Sequence, residues 1–187
     1  SSGTTGLPKP IVHGHGGTVL VQMQLGALHN DLGCSYAPNS LGERYHWYSS
    51  TGWVMWNAQV GGLLAGTTCV IFDGNPGGSK ERPDWASLWR FASETGVTFF
   101  GAGAAFYAAC MKAGIAPQDC GDLSHVRVLG STGSPLSAEV QQWGTRFMAH
   151  AGAIAGRADG IWWCNISGGT DFAGAFIGGN RELPLVA

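Results

Sequence analysis

The residues best suited to chemistry in this chain stand at its start, in the string SSGTTGLPK. It combines two glycines, four hydroxyls and one lysine, with no acidic group. Gly3 and Gly6 carry no side chain, so backbone N–H groups can approach an anion closely. Ser1, Ser2, Thr4 and Thr5 add short donors, and Lys9 adds a mobile positive charge. The chemistry this composition suits is the cradling of a polyphosphate. The pattern is not G-x-x-x-x-G-K-[ST], because Leu7 and Pro8 separate Gly6 from Lys9. Pro10 also disfavours helical geometry at Lys9, so the loop should not run straight into a helix there.

Three more strings are candidates. GSTGSPL, at 130–136, is rich in small residues. Gly133 lets the backbone lie against a flat ring and Pro135 fixes the turn, although a plain strand-to-helix loop favours the same residues. SGGTD, at 167–171, equally fits an Asx-type turn. TGWVMWN, at 51–57, carries Trp53 and Trp56, which by themselves read as core. His13 and His15 form a close pair, but without further ligands they read as polar groups in a loop or helix start.

These strings need elements to position them. Apolar periodicity and turn residues predict helices over 16–30, 57–65 (buried, closed by Gly66), 104–113 and 137–150, and one that starts at Asp84 with Trp85, Leu88, Trp89 and Ala92 on its apolar face. Asp84 and Ser137 are the expected caps of two of them. Short apolar runs predict strands over 44–48, 67–72, 97–100, 126–129 and 161–165. Alternating strands and helices imply an α/β fold, a mostly parallel sheet flanked by helices. In such sheets ligands bind at the carboxyl ends of the strands. The strings following 44–48, 126–129 and 161–165 fall there and, with the opening loop, can converge on one crevice.

Composition narrows the class. With 187 residues the chain can bury a sizeable core. Only 12% of it is charged, against roughly 25% in ordinary domains, so much of it is either buried or set within a larger body. The formal net charge of −2 gives no basic footprint for nucleic acid. No apolar run approaches the roughly 20 residues that cross a bilayer. Cys34, Cys69, Cys110, Cys120 and Cys164 are scattered, without a C-x-x-C pair, so neither a disulfide framework nor a zinc site is expected. A reducing, cytoplasmic setting is the expectation.

The opening string resembles the phosphate-binding signature of the adenylate-forming superfamily, which holds acyl-CoA synthetases, peptide-synthetase adenylation domains and luciferases. GSTGSPL resembles its adenine-binding segment, with Ser134 where many members carry Glu. SGGTD resembles the segment that follows, with Asp171 where many carry Glu. TGWVMWN resembles the segment lining the acyl pocket. With IVHGHGG and AFIGGN, these strings resemble the acetoacetate-activating branch along essentially the whole chain.

The resemblance implies that residues 1–187 are part of the large N-terminal ATP- and acyl-binding domain, with the C-terminal domain absent. It implies small-molecule substrates, ATP, acetoacetate and CoA, with Mg²⁺. An acyl-adenylate forms first; CoA then takes the acyl group, with release of AMP and pyrophosphate. Ser1, Ser2, Gly3, Thr4, Thr5, Gly6 and Lys9 would hold phosphates, and Thr170 would contact the α-phosphate. Asp171 would meet Mg²⁺. Gly133, Ser134, Pro135 and Asn165 would surround the nucleotide. Trp53, Val54, Met55, Thr132 and Gly168 would line the acid pocket. Gly168 stands where acetate-using members carry Trp, so Gly168→Trp is expected to move preference toward acetate. Thr132 is expected to hydrogen-bond a keto oxygen, which discriminates better than one methylene of fit. A ribose-binding Asp and a C-terminal Lys would lie outside these residues, so the chain alone should have negligible ligase activity. The alternatives are another short-chain acyl-CoA synthetase, of acetyl or propionyl type, and a nucleotide-binding module without catalysis.

Overall fold

The computed structural model describes residues 7, 10–33, 42–154, 160–181 and 183. Its centre is a five-stranded parallel sheet of order β2-β1-β3-β4-β5. The strands are β1 (Arg44–Trp47), β2 (Thr68–Cys69), β3 (Phe99–Gly103), β4 (Val128–Thr132) and β5 (Trp162–Asn165). Helices cover both faces, as a parallel sheet requires. They are α1 (His15–Gln24), α2 (Val54–Gly61), α3 (Ser87–Glu94), α4 (Ala104–Lys112) and α5 (Ala138–Ile154). A separate antiparallel hairpin joins β6 (Ser167–Gly169) to β7 (Gly174–Ile177).

Alternation along the strands divides the core in two. Phe100, Leu129 and Trp163 pack with Leu88, Trp89 and Tyr107 on the face covered by α3, α4 and α5. Trp89 stacks on Phe100 at 4.6 Å between ring centroids. Tyr45, Trp47, Phe99, Val128 and Cys164 form the other cluster, with Met55 of α2. Trp47 lies flat on its neighbours: a Cβ on Gly101 would sit 2.2 Å from its ring, and one on Gly130 would sit 2.4 Å away. Glycine at these two sheet positions is what lets the indole lie down.

The elements differ from the sequence expectation in several places. The helix expected over 16–30 is α-helical to Gln24 and a π turn over Leu25–His29. The strands expected over 97–100 and 126–129 lie at Phe99–Gly103 and Val128–Thr132. The strand expected over 67–72 pairs only at Thr68–Cys69. Beyond it, the Val70 carbonyl is taken by side chains: His46 Nδ1 donates to it at 2.8 Å and Gln59 Nε2 at 2.9 Å. The helix expected from 57 begins at Val54 and tightens over Gly62–Ala65 before Gly66, at φ 74. It is not buried along its length, since Leu63 is 58% exposed. Asp84 does not cap α3 directly; it accepts from the Ala86 N–H at 3.2 Å and pairs with Arg90. SGGTD, whose composition also fits an Asx-type turn, is a hairpin arm over Ser167–Gly169 followed by a tight turn from Thr170. Ser137 does cap α5, accepting from the Val140 N–H at 3.3 Å.

Two contacts fix α2 over the strand ends. Gln59 Oε1 accepts the Trp47 N–H at 2.8 Å while its Nε2 holds Val70, so the helix is tied to β1 and to the chain after β2. On the opposite face the Tyr107 hydroxyl donates to the Gly130 carbonyl at 2.9 Å, tying α4 to β4.

His46 gives the sheet a pH signature. It is buried, beside Phe91 at 5.4 Å and Phe100 at 5.6 Å, and burial pulls its pKa down to about 4. The unfolded chain therefore takes up a proton near pH 6.5, which the folded chain refuses until about pH 4. Stability is full above pH 6.5 and falls between those values, by about 3 kcal/mol at most. Thermal melting of the full-length protein is expected to show a Tm that drops as pH is lowered through this window. His46→Leu should flatten that slope; an unchanged slope in the variant would assign it to other groups.

Candidate functional site

At the carboxyl ends of β1, β3, β4 and β5 the described residues enclose a cleft of about 1340 Å³. Each wall comes from a segment that leaves a strand. After β1 the chain supplies Trp53, Val54 and Met55, held in place by the Gln59 anchor of α2. The end of β4 supplies Ser131 and Thr132, then Gly133, Ser134 and Pro135. The end of β5 supplies Asn165, and the β6 arm supplies Gly168, Gly169 and Thr170. The expected pocket and nucleotide residues among those described thus meet in one place. Asp171 follows Thr170, is exposed, and is not part of the cleft lining. Ser1, Ser2, Gly3, Thr4, Thr5, Gly6 and Lys9 lie outside the described residues.

Local geometry gives several of these residues definite roles. Gly133 has φ 89, a turn conformation that suits glycine, and open space lies where its Cβ would be. A flat group can therefore lie against that backbone. Thr170 Oγ1 accepts the Val54 N–H at 3.0 Å, linking segments 116 residues apart. Among the described residues its hydroxyl proton has no acceptor, so it is available to an oxyanion in the cleft.

Thr132 differs from expectation. Its hydroxyl donates to the Ile166 carbonyl at 2.7 Å. A hydroxyl has one proton, so Thr132 has none left for a keto oxygen. Gly168 also differs. It lines the cleft, but a Cβ built on it would lie 2.2 Å from the Gly174 carbonyl oxygen, pointing into β7. The space it leaves is therefore filled by backbone.

Ser131 lies within GSTGSPL but is not among the site residues expected from the sequence. Ser131 and Asn165 are register partners across β4 and β5. Ser131 Oγ and Asn165 Oδ1 are both buried without a hydrogen-bond partner among the described residues, and both residues line the cleft. A buried polar atom without a partner costs about 1–3 kcal/mol, so this donor and acceptor suit a ligand with a matching polar edge. The signal was in the strings, but the pairing appears only once the strand register is known. Tyr48, also in the lining, donates to the Gly74 carbonyl at 3.2 Å, and partial burial raises its pKa, keeping the phenol neutral.

No charged side chain is present among the described residues of the lining. The described residues also contain no group of three His, Cys, Asp or Glu able to hold a metal ion, the His13 and His15 pair included. None of their helices is long and apolar enough to cross a membrane.

The sequence profile of the AMP-binding enzyme family matches residues 1–156, most of the chain. This chain belongs to the AMP-binding enzyme family. The chain is similar over 185 residues to the acetoacetyl-coenzyme A synthetase of Rhizobium meliloti, at 37% identity. Over the same length it is similar to the acetoacetyl-CoA synthetase of Gallus gallus, at 31%. Each alignment takes in 99% of this chain and 25% of the relative, so the chain spans about a quarter of their length. Among solved structures, the acetoacetyl-CoA synthetase of Streptomyces lividans superposes with a TM-score of 0.79 and 43% identity. That match covers 96% of this chain and 25% of the other. An anthranilate CoA ligase in complex with anthranoyl-AMP, at 22% identity, shares the fold with a TM-score of 0.71, covering 97% of this chain and 30% of its own. The sheet and its strand-end cleft are thus those of an AMP-binding enzyme.

Proposed function

We propose that the full-length protein is an ATP-dependent acid–CoA ligase acting on acetoacetate. The observation that carries this is the convergence of the β1, β4 and β5 exits on one cleft, where Thr170 keeps a hydroxyl proton that has no acceptor among the described residues. The similarity to acetoacetyl-CoA synthetases along 99% of the chain supports the choice of acid.

In this reading the nucleobase lies against the open backbone at Gly133, Ser134 and Pro135. Its polar edge meets Ser131 Oγ and Asn165 Oδ1. The acid sits against Trp53, Val54 and Met55. Its carboxylate attacks the α-phosphorus of ATP, the bond to pyrophosphate breaks, and an acyl-adenylate results. The Thr170 hydroxyl donates to an α-phosphate oxygen, offsetting charge that builds there. Lys9 supplies the cation that the described lining lacks. The CoA thiol then attacks the acyl carbon and AMP leaves. A Mg²⁺ that arrives on nucleotide phosphates and keeps its waters requires only one or two carboxylates. Asp171, exposed beside Thr170, fits that need, and the ion would offset phosphate charge there.

One observation favours a broader short-chain specificity: the Thr132 proton is committed to Ile166, so no donor for a keto group comes from that residue. Acid-dependent ATP–pyrophosphate exchange by the full-length protein, with acetoacetate, acetate and propionate compared, decides between the two. A clear preference in kcat/KM for acetoacetate is expected. Equal values would support the broader reading, and MgATP binding without exchange would leave only a nucleotide-binding module.

A further inference from the structure

The hydrogen bond between Val54 and Thr170 joins two walls of the cleft, the start of α2 and the turn after β6. Val54 is the first residue of α2, and its N–H is a donor with no intrahelical partner. It points instead to Thr170 Oγ1, at 3.0 Å. A threonine hydroxyl has two lone pairs and one proton. With one lone pair fixed by Val54, the rotor loses the orientations that would turn its proton toward that N–H. What remains is a donor held away from α2, and a hydroxyl that accepts one bond while donating another is a stronger donor.

We infer that the backbone N–H of Val54 is a positioning group: it sets the Thr170 hydroxyl as a donor to the reacting phosphate. In the ligase reading, a residue that walls the acid thereby orients, through its backbone, the hydroxyl that meets the phosphate; both residues line the cleft. This rests on the ligase reading above, since it requires a phosphate at Thr170.

The backbone permits a test that removes this donor without breaking the helix start. Proline at the first position of a helix is tolerated, because the missing N–H has no helical partner and φ is already suitable. The residue before a proline must be extended, and Trp53 is, at φ −110 and ψ 151. Val54→Pro therefore deletes the bond to Thr170 while the helix can keep its start. Val54→Ala keeps the N–H and reports the loss of the side chain.

In the full-length enzyme, Val54→Pro is expected to lower kcat for ATP–pyrophosphate exchange by about fivefold to tenfold relative to Val54→Ala, the worth of one ordinary hydrogen bond. KM for the acid should be similar in the two variants. The decisive measurement is a double-mutant cycle with Thr170→Val. If the N–H acts through the hydroxyl, proline at 54 has no further effect once the hydroxyl is gone. An equal loss in both backgrounds, or no difference between proline and alanine, overturns the inference. Should the proline variant fail to fold, an amide-to-ester replacement of the Val54 N–H by oxygen removes the donor with the side chain intact, and the same cycle applies. A wild-type protein inactive in exchange would defeat the ligase reading itself; an active wild type with an additive cycle defeats only this inference.

Discussion

Thr170→Val is expected to lower acid-dependent ATP–pyrophosphate exchange by about 10²- to 10³-fold in the full-length protein. The substitution keeps shape and branching and replaces only the hydroxyl. Two losses follow from one atom. The cleft loses a hydroxyl proton that has no acceptor among the described residues, and the Val54 N–H loses its acceptor. The first is a transition-state effect, so kcat should fall more than KM for ATP rises. The second is a stability effect, worth about 1–3 kcal/mol for a donor left without a partner. Thr170→Ser restores both functions of the oxygen and should recover most of the rate. Exchange within about threefold of wild type for the valine variant would remove Thr170 from the chemistry.

The contact that makes Thr170 interesting could not be read from the sequence, because its partner is a backbone N–H 116 residues away. The same limit applies to Ser131 and Asn165, whose pairing depends on the register of β4 against β5. What was legible is what local patterns dictate. Phe99, Phe100, Val128 and Leu129 are buried on both faces of a parallel sheet, so their strands read as short apolar runs. The strings after β1, β4 and β5 fall at the strand ends, as an open α/β sheet requires. The run TTCVIF misled because apolar, β-branched composition cannot tell how far an edge strand stays paired. There the buried side chains of His46 and Gln59 compete for the Val70 carbonyl, and the ladder stops at Cys69. The hairpin of β6 and β7 was hidden for the opposite reason: SGGTD has too few side chains to show a period of two.

Gly168 is where geometry most changes what should be measured. Removing an indole to make room for a longer acid predicts that Gly168→Trp trades acetoacetate for acetate. The position of β7 predicts something else: exchange with both acids falls together, by about a hundredfold, with their ratio little changed. A Cβ at 168 meets backbone, 2.2 Å from the Gly174 oxygen and 2.8 Å from the Ala175 Cα, and no rotamer of a larger side chain can avoid it. The pairing is already irregular between Ser167 and Gly168, so the arm has little further register to give. Either β7 is pushed off or β6 moves, and Thr170 lies two residues further on, in the turn that follows β6. A displacement of about 1 Å at a positioned group can cost about a hundredfold in rate. Because the offending atom is Cβ, Gly168→Ala should already show the loss, by about tenfold, whereas a methyl group would hardly fill an acid pocket. The alanine variant therefore separates the two accounts more cleanly than tryptophan does. Near wild-type exchange in Gly168→Ala, together with a shift toward acetate in Gly168→Trp, would place the open side of this glycine on the acid after all.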